Sequence, residues 1–385
     1  MTAWHPLLSA SFLIQAILWP VGFLILYRIN LLQESSPSSG NHPWVSVIIP
    51  ARNEAKRLPA LLSSLSHQSV QPVEVIVVDD HSTDETATLA LRAGCRVVKS
   101  EPLPPGWTGK NWACHQGAQA AQGDLYLFLD ADITIQPKGL ERIVDTYLQK
   151  GGVLSLQPYH ETKKIYEELS AFFNLIQLIG SNAFTFLGQS FQGKKLFGPV
   201  LAVSKNDYLR SGGHEAVKDK VLENFFMARK FLSHHIPLFC FGGKGVVHFR
   251  MYPDGYRALL EGWTKSVASG ARGTTPLILI GVVAWLTGCL GTARHLIVTA
   301  FSGPSEKFIG FAGLYLLYVV QIAWMLNRTG RFRLTTSFLY PIPLLFFALV
   351  FIRALILSCL PGLSTAMRAW ASSSRAAWAA PPMRI

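Results

Sequence analysis

The chain has 385 residues, of which 50% are hydrophobic and 15% are charged, and its formal net charge is +12. This apolar content excludes a disordered chain, and 5 cysteines without a pairing pattern exclude a disulfide scaffold. High apolarity with a basic excess indicates a membrane protein with cationic flanks. A nucleic-acid-binding protein is the weaker alternative, because the sequence contains no zinc-type Cys/His spacing, no base-reading basic helix and no RNA-binding strand motif.

The N-terminal segment Leu7–Tyr27 carries no charged residue and is long enough to cross a bilayer core of about 30 Å as a helix. Pro20 interrupts it, which a membrane helix tolerates, and Arg28 follows it. The alternative is a cleaved signal peptide, but a basic start and a small-residue cleavage site are both absent. We therefore predict a retained membrane anchor over residues 1–30 and a polar linker over residues 31–42.

Residues 43–274 alternate between β-branched runs and segments with helical spacing of apolar residues, which predicts a mainly parallel sheet covered by helices. The predicted strands are Trp44–Pro50, Val73–Val78, Arg96–Val98 and Asp124–Leu129. The predicted helices are Asn53–Ser66, one that starts at Ser82, and Asn111–Ala121.

Carboxylates follow two of these strands. Asp79 and Asp80 come after the second strand, and Asp130 and Asp132 come after the fourth. In such sheets ligands bind outside the carboxyl ends of the strands, and Mg²⁺ or Mn²⁺ is bound by one or two carboxylates together with substrate phosphates. The alternative is that Asp130 and Asp132 cap a turn or a helix. The paired acidic strand ends favour a divalent-cation and diphosphate site.

The sequence contains neither a GxGxxG fingerprint after the first strand nor a GxxxxGK[ST] phosphate loop. A nucleotide must then be held through a metal ion and side chains. Lys110 opens the helix that starts near Asn111, where anions are favoured, although an ordinary loop lysine is an equal alternative.

Four motifs together resemble a family 2 glycosyltransferase with the GT-A fold, a mixed Rossmann-like sheet flanked by helices. They are IIPARNE (Ile48–Glu54), VVDDHSTDET (Val77–Thr86), GWTGKNWACHQGAQAA (Gly106–Ala121) and LFLDAD (Leu127–Asp132). Later stretches resemble the carotenoid glycosyltransferases of staphyloxanthin-type pathways, with hopanoid-associated glycosyltransferases as a near relative. These stretches are LSLQPYH (Leu154–His160), FGPV (Phe197–Val200), SGGHEAVKDKVLE (Ser211–Glu223) and FRMYPDGYRALLEGWTKSVASGA (Phe249–Ala271).

The resemblance implies a UDP-sugar donor and a divalent cation that neutralises the leaving UDP. It implies that Asp130 and Asp132 bind the cation, with Asp132 as the preferred ligand. It also implies a nucleotide pocket, a uracil contact at Asp80 and a diphosphate or ribose contact at Lys110; the pocket residues are Pro50, Ala51 and Glu54.

The sequence departs from the family at the position of the catalytic base, which in many members is the Asp of a Glu-Asp or Asp-Asp pair. Here Glu223 is followed by Asn224, and an amide does not accept a proton. Either Glu223 acts in its place, or the acceptor needs little base help. A carboxylic acid, with a pKa near 4–5, is already ionised at pH 7. We therefore expect a carboxylate acceptor and a glycosyl ester product, with a purely structural Glu223 as the alternative.

A second departure concerns the Gln/Arg-x-x-Arg-Trp motif of processive synthases, of which only Trp263 remains. This predicts the addition of one sugar per acceptor. Trp263 and Lys265 either close over the diphosphate and acceptor or anchor an interfacial helix.

The segment Leu169–Gly193 contains no charged residue. Its helical spacing separates an apolar face with Phe172 and Ile176 from a polar face with Asn174 and Gln177. We expect either an interfacial helix that guides a membrane-dissolved acceptor or an ordinary core helix.

Three apolar segments follow residue 274, namely Leu277–Ala293, Phe308–Leu326 and Leu334–Ile352. They predict about three membrane helices over residues 275–360 and a basic tail over 361–385. Arginines between the second and third segments put the catalytic domain, residues 43–274, in the cytoplasm. The arginines of the tail conflict with three crossings, so either the last segment is re-entrant or the charge rule fails here.

The apolar segments predict a multi-pass cell-membrane protein, and the resemblance implies an inverting glycosyltransferase that moves glucose from UDP-glucose to the carboxylate of a carotenoid acid. The alternatives are a hopanoid, sterol or polyprenyl-phosphate acceptor, and a non-catalytic membrane subunit that retains the fold. The predicted partners are the UDP-sugar, a carotenoid or terpenoid lipid and the membrane, without nucleic acid.

Overall fold

The computed structural model describes residues 9–33, 43–188, 195–220, 223–270, 274–301 and 305–359. The predicted basic tail over 361–385 and most of the predicted linker over 31–42 lie outside the described residues.

The centre of the fold is a seven-stranded mixed sheet with strand order β3-β2-β1-β4-β8-β6-β9. Strands β1 to β4 are parallel, whereas β8 runs antiparallel to β4 and β6. The four predicted strands are confirmed, with ends shifted by at most one residue. The strands are β1 (Val45–Ala51), β2 (Glu74–Asp79), β3 (Arg96–Lys99), β4 (Leu125–Leu129), β6 (Val153–Gln157), β8 (Val200–Ser204) and β9 (Leu238–Gly242).

Helices cover both faces of this sheet, as predicted. Apolar side chains of α3, α4 and α6 pack on one face and those of α5 on the other. The close packing of α5 requires Gly117, because a Cβ there would collide with Ile48 and lie 3.0 Å from Val78 Cγ2. These helices are α3 (Leu58–Ser66), α4 (Thr86–Arg92), α5 (Gly109–Ala120) and α6 (Gly139–Lys150).

The predicted starts of α3 and α4 are wrong by about four residues. The chain turns at Asn53, whose φ is 54°, and the regular helix α3 begins only at Leu58. The side chains of Ser82 and Asp84 accept hydrogen bonds from the backbone N–H groups of Asn53 and Ala55 in the loop after β1, and helix α4 begins only at Thr86. Side chains that cap loops in this way compete with helix formation.

A second sheet, which the sequence did not reveal, has the strand order β11-β7-β10-β5. Strand β5 (Ile133–Ile135) directly follows Asp132, and β11 (Gly330–Arg331) directly follows the long helix α12 (Glu306–Thr329). The other two strands are β7 (Tyr159–Glu161) and β10 (Val247–Phe249). This sheet therefore links the C-terminal helices to the chain beside the acidic strand end.

The segment predicted as either an interfacial or a core helix contains helix α7 (Ala171–Gly180). Phe172 and Asn174, which lie on its predicted apolar and polar faces, are both fully buried, and Asn174 donates a hydrogen bond to Thr329 O. It packs against α10 (Tyr256–Gly270), α11 (Pro276–Phe301), α12 and α14 (Pro341–Cys359). Most of α7 is thus buried, as the core alternative expects, although Gln177 on the predicted polar face is exposed. Residues 189–193 of the predicted segment lie outside the described residues.

Two helices in the described part of the chain, α11 and α12, are long and apolar enough to cross a membrane. The predicted anchor consists of two short helices, α1 (Ala10–Leu18) and α2 (Val21–Ile25), which are separated at Pro20. The predicted segment Leu334–Ile352 has the wrong bounds: α13 ends at Phe338, and α14 begins at Pro341, where a missing N–H is tolerated. Helix α13 spans Leu334–Phe338.

Polar side chains of α11 and α12 satisfy backbone groups near the Pro20 break. Tyr318 donates a hydrogen bond to Gln15 O at 3.0 Å, and Gln321 donates one to Trp19 O at 2.9 Å. Trp285 in turn donates to Gln321 Oε1 at 2.8 Å. In an apolar environment such partners make a broken helix tolerable.

Helix α8 (Lys205–Arg210) packs beside β8, and α9 (Glu223–Ser233) packs beside β9. Two 3-10 turns complete the fold: Glu215–Val217 contacts α9, and Ile165–Ser170 contacts α14 and α10.

Candidate functional site

Side chains of the loop between β2 and α4 hold the loop after β1 in place. Asn53 Oδ1 accepts a hydrogen bond from Thr83 N at 2.7 Å, and Ser82 Oγ accepts one from Asn53 N at 3.0 Å. Thr86 Oγ1 accepts one from Glu54 N at 2.8 Å. The polar residues after Asp80 thus hold the loop that carries Glu54, a positioning role that sequence reasoning missed.

Asp80 lies at the carboxyl end of β2, beside the start of α5. Its backbone N–H donates to Ala51 O at 2.9 Å, and its carboxylate lies 3.5 Å from Arg52 Nη1. A Cβ on Gly109 would lie 2.9 Å from Asp80 Oδ2, so glycine permits this close approach. A carboxylate at a helix N-terminus is favoured by the helix dipole.

Lys110 lies between carboxylates from two parts of the chain. Its ammonium nitrogen is 2.7 Å from Asp130 Oδ1 and 3.5 Å from Glu223 Oε1. Although desolvation lowers it, the charges of Asp130 and Glu223 raise the pKa of Lys110 above its ordinary value. The sequence-predicted residues Lys110, Asp130 and Glu223 are therefore brought together.

Asp132 is exposed beyond the carboxyl end of β4 and has no ion pair within the described residues. Desolvation by surrounding protein atoms, together with the charge of Asp130, raises the pKa of Asp132 to about 6. Desolvation also raises the pKa of Glu54, and Asp132 and Asp130 contribute, although Arg57 at 3.3 Å opposes the shift. These carboxylates repel one another, so a bound cation would be favoured here.

A divalent cation fits Asp130 and Asp132 as a two-carboxylate site completed by substrate phosphates. Hard oxygen ligands of this kind suit Mg²⁺ and Mn²⁺. Across the described residues, no group of three His, Cys, Asp or Glu side chains is placed to hold a metal ion. Asp80, for which the resemblance implies a uracil contact, faces Arg52 and the start of α5.

Glu223 and Asn224 open helix α9 beside Lys110. Asn224 Nδ2 donates a hydrogen bond to Glu223 Oε1 at 3.1 Å. A Cβ on Gly198 would lie 2.6 Å from Asn224 Nδ2 and 3.8 Å from Lys110 Nζ, so glycine leaves room for both nitrogens. Glu223 is thus held by an amide and an ammonium group.

The small cavity at this point is also lined by Pro50, Cys114 and His214. Burial, with a contribution from the charge of Lys110, lowers the pKa of His214 to about 3, and its Nδ1 lies 2.9 Å from Tyr208 Oη. Burial raises the pKa of the Cys114 thiol. Both groups are neutral at pH 7. Sequence reasoning missed Cys114, His214 and Gly198, because only the tertiary fold brings them to Lys110.

Trp263 lies on α10, and its side chain is buried against α7. Its indole N–H donates to Ser170 Oγ at 3.0 Å, and its ring stacks on Phe173 with centroids 4.6 Å apart. This burial favours the anchoring interpretation of Trp263 over the gating one. Lys265 is exposed on the same helix.

Residues 46–199 match the family model "Glycosyl transferase family 2". The chain is 38% identical over 337 residues to 4,4'-diaponeurosporenoate glycosyltransferase of Staphylococcus aureus strain USA300, which covers 86% of this chain and 89% of the relative. The protein of that name from strain MRSA252 is 38% identical over 338 residues, with the same coverage.

Two solved structures resemble the fold at lower identity. A mannosyltransferase from Pyrobaculum calidifontis in complex with GDP-Man and Mn²⁺ is 18% identical with a TM-score of 0.48, covering 89% of this chain and 96% of that chain. Glucosyl-3-phosphoglycerate synthase from Mycobacterium tuberculosis in complex with Mn²⁺, UDP-glucose and phosphoglyceric acid is 20% identical with a TM-score of 0.41, covering 58% and 80%.

Proposed function

Because the chain belongs to glycosyltransferase family 2 and has the GT-A fold predicted from its sequence, we propose that this enzyme transfers glucose from UDP-glucose to the carboxylate of a carotenoid acid. The observation that carries the proposal is the 38% identity, over 86% of the chain, to a glycosyltransferase named for 4,4'-diaponeurosporenoate. That name specifies a carboxylate-bearing polyene as the acceptor.

The donor is held at the carboxyl ends of β1, β2 and β4 in this proposal. The end of β1 with Pro50 and Ala51, the following loop with Glu54 and the carboxylate of Asp80 bind the nucleoside. Asp130 and Asp132 hold Mg²⁺ or Mn²⁺, and a cation there would neutralise charge on the leaving diphosphate. The mutual repulsion of Asp132, Asp130 and Glu54 supports this assignment.

The transfer reaction needs little base catalysis when the acceptor is a carboxylate. An acceptor oxygen forms a bond to the anomeric carbon as the bond from that carbon to the UDP oxygen breaks, and the bonding pair leaves with UDP. The acceptor has no proton to lose, since a carboxylic acid is ionised at pH 7. Glu223 then keeps its contacts to Lys110 and Asn224 rather than acting as an obligatory base.

The acceptor is expected to arrive from a membrane. We assign residues 1–30 and 275–360 to membrane anchoring and residues 43–274 to a cytoplasmic catalytic domain. The support is two helices of sufficient length and apolarity, α11 and α12, together with the basic turn that contains Arg331 and Arg333. Helix α7 packs directly on both long helices, so the catalytic domain would rest against the lipid surface.

A radiolabelled transfer assay tests the proposal. Membranes that contain the full chain are supplied with UDP-[¹⁴C]glucose and either a C30 carotenoid acid or the matching alcohol, and lipid products are separated. We expect a glucosyl ester that mild alkali cleaves, and at least tenfold less product with the alcohol. A preference for the alcohol, or label only in hopanoid, sterol or polyprenyl phosphate, would refute the carboxylate assignment.

A further inference from the structure

Tyr252 occupies an unusual backbone conformation at the edge of the donor site. Its φ is 53°, in the left-handed region that residues with bulky side chains rarely adopt. Strain of this kind costs on the order of 1–3 kcal/mol and persists only where surrounding contacts impose it. The contacts that hold Tyr252 in this conformation therefore indicate its role.

The chain around Tyr252 is fixed on both sides. Tyr166 donates a hydrogen bond to Tyr252 O at 2.9 Å, and Lys164 donates one to Pro253 O at 3.2 Å. Two residues before Tyr252, Arg250 pairs with the fully buried Glu167 at 2.6 Å. The conformation is thus over-determined by side chains of the Ile165–Ser170 turn and its approach.

The ring of Tyr252 packs against the backbone of α10. A Cβ on Gly262 would lie 2.6 Å from the phenolic oxygen, so only glycine accommodates the ring. The ring also meets Trp263 edge to face, with centroids 5.6 Å apart. Gly262 and Trp263 therefore form a platform that orients the phenol.

This platform lies beside the acidic end of β4. Strand β10 runs antiparallel to β5 with Phe249 opposite Ile133, so the chain leaving β10 runs towards Asp132. On the far side of Tyr252, Asp254 forms an ion pair with Arg57 at 3.0 Å, and Arg57 also contacts Glu54. Tyr252 therefore lies between the end of β10 and the Arg57–Asp254 ion pair.

The phenolic hydroxyl of Tyr252 has no hydrogen-bond partner among the residues that the structure describes. Burial, with the charge of Asp132, raises the pKa of Tyr252, so the hydroxyl keeps its proton at neutral pH. A neutral O–H beside a cluster of carboxylates is a donor suited to an anionic ligand that a cation has brought there.

We propose that the Tyr252 hydroxyl is a binding group for the nucleotide donor and donates a hydrogen bond to a diphosphate oxygen. The inference rests on the proposed function, since it takes a nucleoside diphosphate as the ligand at Asp130 and Asp132. It adds Tyr252 to the residues that the sequence resemblance assigns to donor binding. The strained backbone and the Gly262 platform are then explained as devices that pre-orient this donor group.

The test compares UDP with uridine on the purified full-length chain. Tyr252→Phe removes only the hydroxyl and keeps the ring on Gly262. With Mn²⁺ present, calorimetry should show about tenfold weaker UDP binding, the loss expected for one hydrogen bond to a charged group. Uridine, measured by competition, should bind equally to both proteins, and the KM for UDP-glucose should rise in parallel with the Kd for UDP.

Tyr147→Phe is the matched control, because Tyr147 lies on α6, away from the acidic strand end. It should leave UDP affinity within twofold of wild type. Gly262→Ala, which pushes the ring off its platform, should weaken UDP binding at least as much as Tyr252→Phe. UDP affinity unchanged in Tyr252→Phe, or an equal loss for uridine, would overturn the inference.

Failure of the proposed function gives a different result. If the wild-type chain binds GDP rather than UDP, the proposed donor is wrong. The role of Tyr252 is then tested by comparing the affinities of wild type and Tyr252→Phe for GDP and for guanosine. A chain that binds UDP but glucosylates another lipid corrects the acceptor and leaves the Tyr252 result intact.

Discussion

Two groups of three carboxylates differ in how their charges are compensated. The donor-side group, Glu54, Asp130 and Asp132, shares two cations, and two of its members have raised pKa values. The junction group, Glu161, Glu167 and Glu168, lies where the catalytic domain meets the C-terminal helices.

Each carboxylate of the junction group has its own partners. Glu167 pairs with Arg250 at 2.6 Å, and Glu161 lies 2.9 Å from His248 Nδ1. Glu168 accepts hydrogen bonds from Thr336 Oγ1 at 2.5 Å and from Arg333 N at 3.2 Å. Although burial acts in the opposite direction, hydrogen bonds from Arg250 and from backbone N–H groups lower the pKa of Glu167.

The difference separates function from architecture. Carboxylates whose pKa values are raised by desolvation and by neighbouring charges are kept in that state at a cost in stability, which a ligand cation can relieve. Carboxylates whose pKa values are lowered contribute to folding instead. Neutralising one member of each group should therefore damage activity in the first case and stability in the second.

The largest expected effect is on activity at the donor side. Asp132→Asn should reduce glucosyl transfer about 10³-fold, because cation binding contributes several kcal/mol to the stabilisation of the leaving group. Its melting temperature should equal or exceed that of the wild type, since the repulsion from Asp130 is removed. Radiometric transfer and thermal unfolding are measured on the same preparations.

Asp124→Asn is the matched control for this change, because Asp124 is exposed at the opposite end of β4. It should keep full activity. If Asp132→Asn retained more than a tenth of wild-type transfer, the donor-side group would not be a cation site.

The largest expected effect on stability comes from the junction group. Glu167→Gln leaves Arg250 without its charged partner and should lower the free energy of unfolding by about 3 kcal/mol, as when a buried ion pair is broken. Chemical denaturation in detergent measures the change. The exposed Glu261 on α10 offers the control Glu261→Gln, which should be neutral. A neutral Glu167→Gln would mean that the junction charges do not support the fold.

The pH dependence of stability provides a further test of the same residue. Because the folded-state pKa of Glu167 is lowered, its contribution is complete above the unfolded pKa of about 4.3 and is lost as pH falls through the folded value. The stability difference between wild type and Glu167→Gln should therefore be constant near pH 7 and shrink in acid. A difference that grew below pH 4 would contradict the sign of this shift.

The sequence predicted the donor side far better than the junction. Long β-branched runs identify β1, β2 and β4, and the acidic residues that end β2 and β4 follow from reading along the chain. The junction depends on β5, β7 and β10, which are three residues long, and on a Glu167–Arg250 pair that is 83 residues apart in sequence. Such short strands carry no periodic signal, and their pairing is decided by tertiary contacts.

The same limit explains the errors at single residues. Asn174 lies on the predicted polar face of α7, yet it is fully buried and donates a hydrogen bond to Thr329 O. Likewise, Tyr252 and Gly262 lie within the motif Phe249–Ala271, but their roles could not be predicted, because a left-handed φ and a backbone–ring contact appear only after folding.

The smallest expected effect concerns the link between the donor-side group and the segment that carries Tyr252. The Arg57–Asp254 pair spans 3.0 Å, but its side chains are 39% and 56% exposed. Exposed pairs contribute about 0.2–1 kcal/mol and are screened by salt.

Asp254→Asn should therefore raise the KM for UDP-glucose less than about fivefold at low ionic strength. The difference from wild type should vanish in 0.5 M NaCl, where the Debye length is roughly 4 Å. Asp207→Asn, which removes the comparably placed pair with Arg210 on α8, should leave the KM unchanged. A larger or salt-independent effect of Asp254→Asn would mean that this pair is desolvated when the donor binds, and the segment around Tyr252 would then close over the site rather than stand beside it.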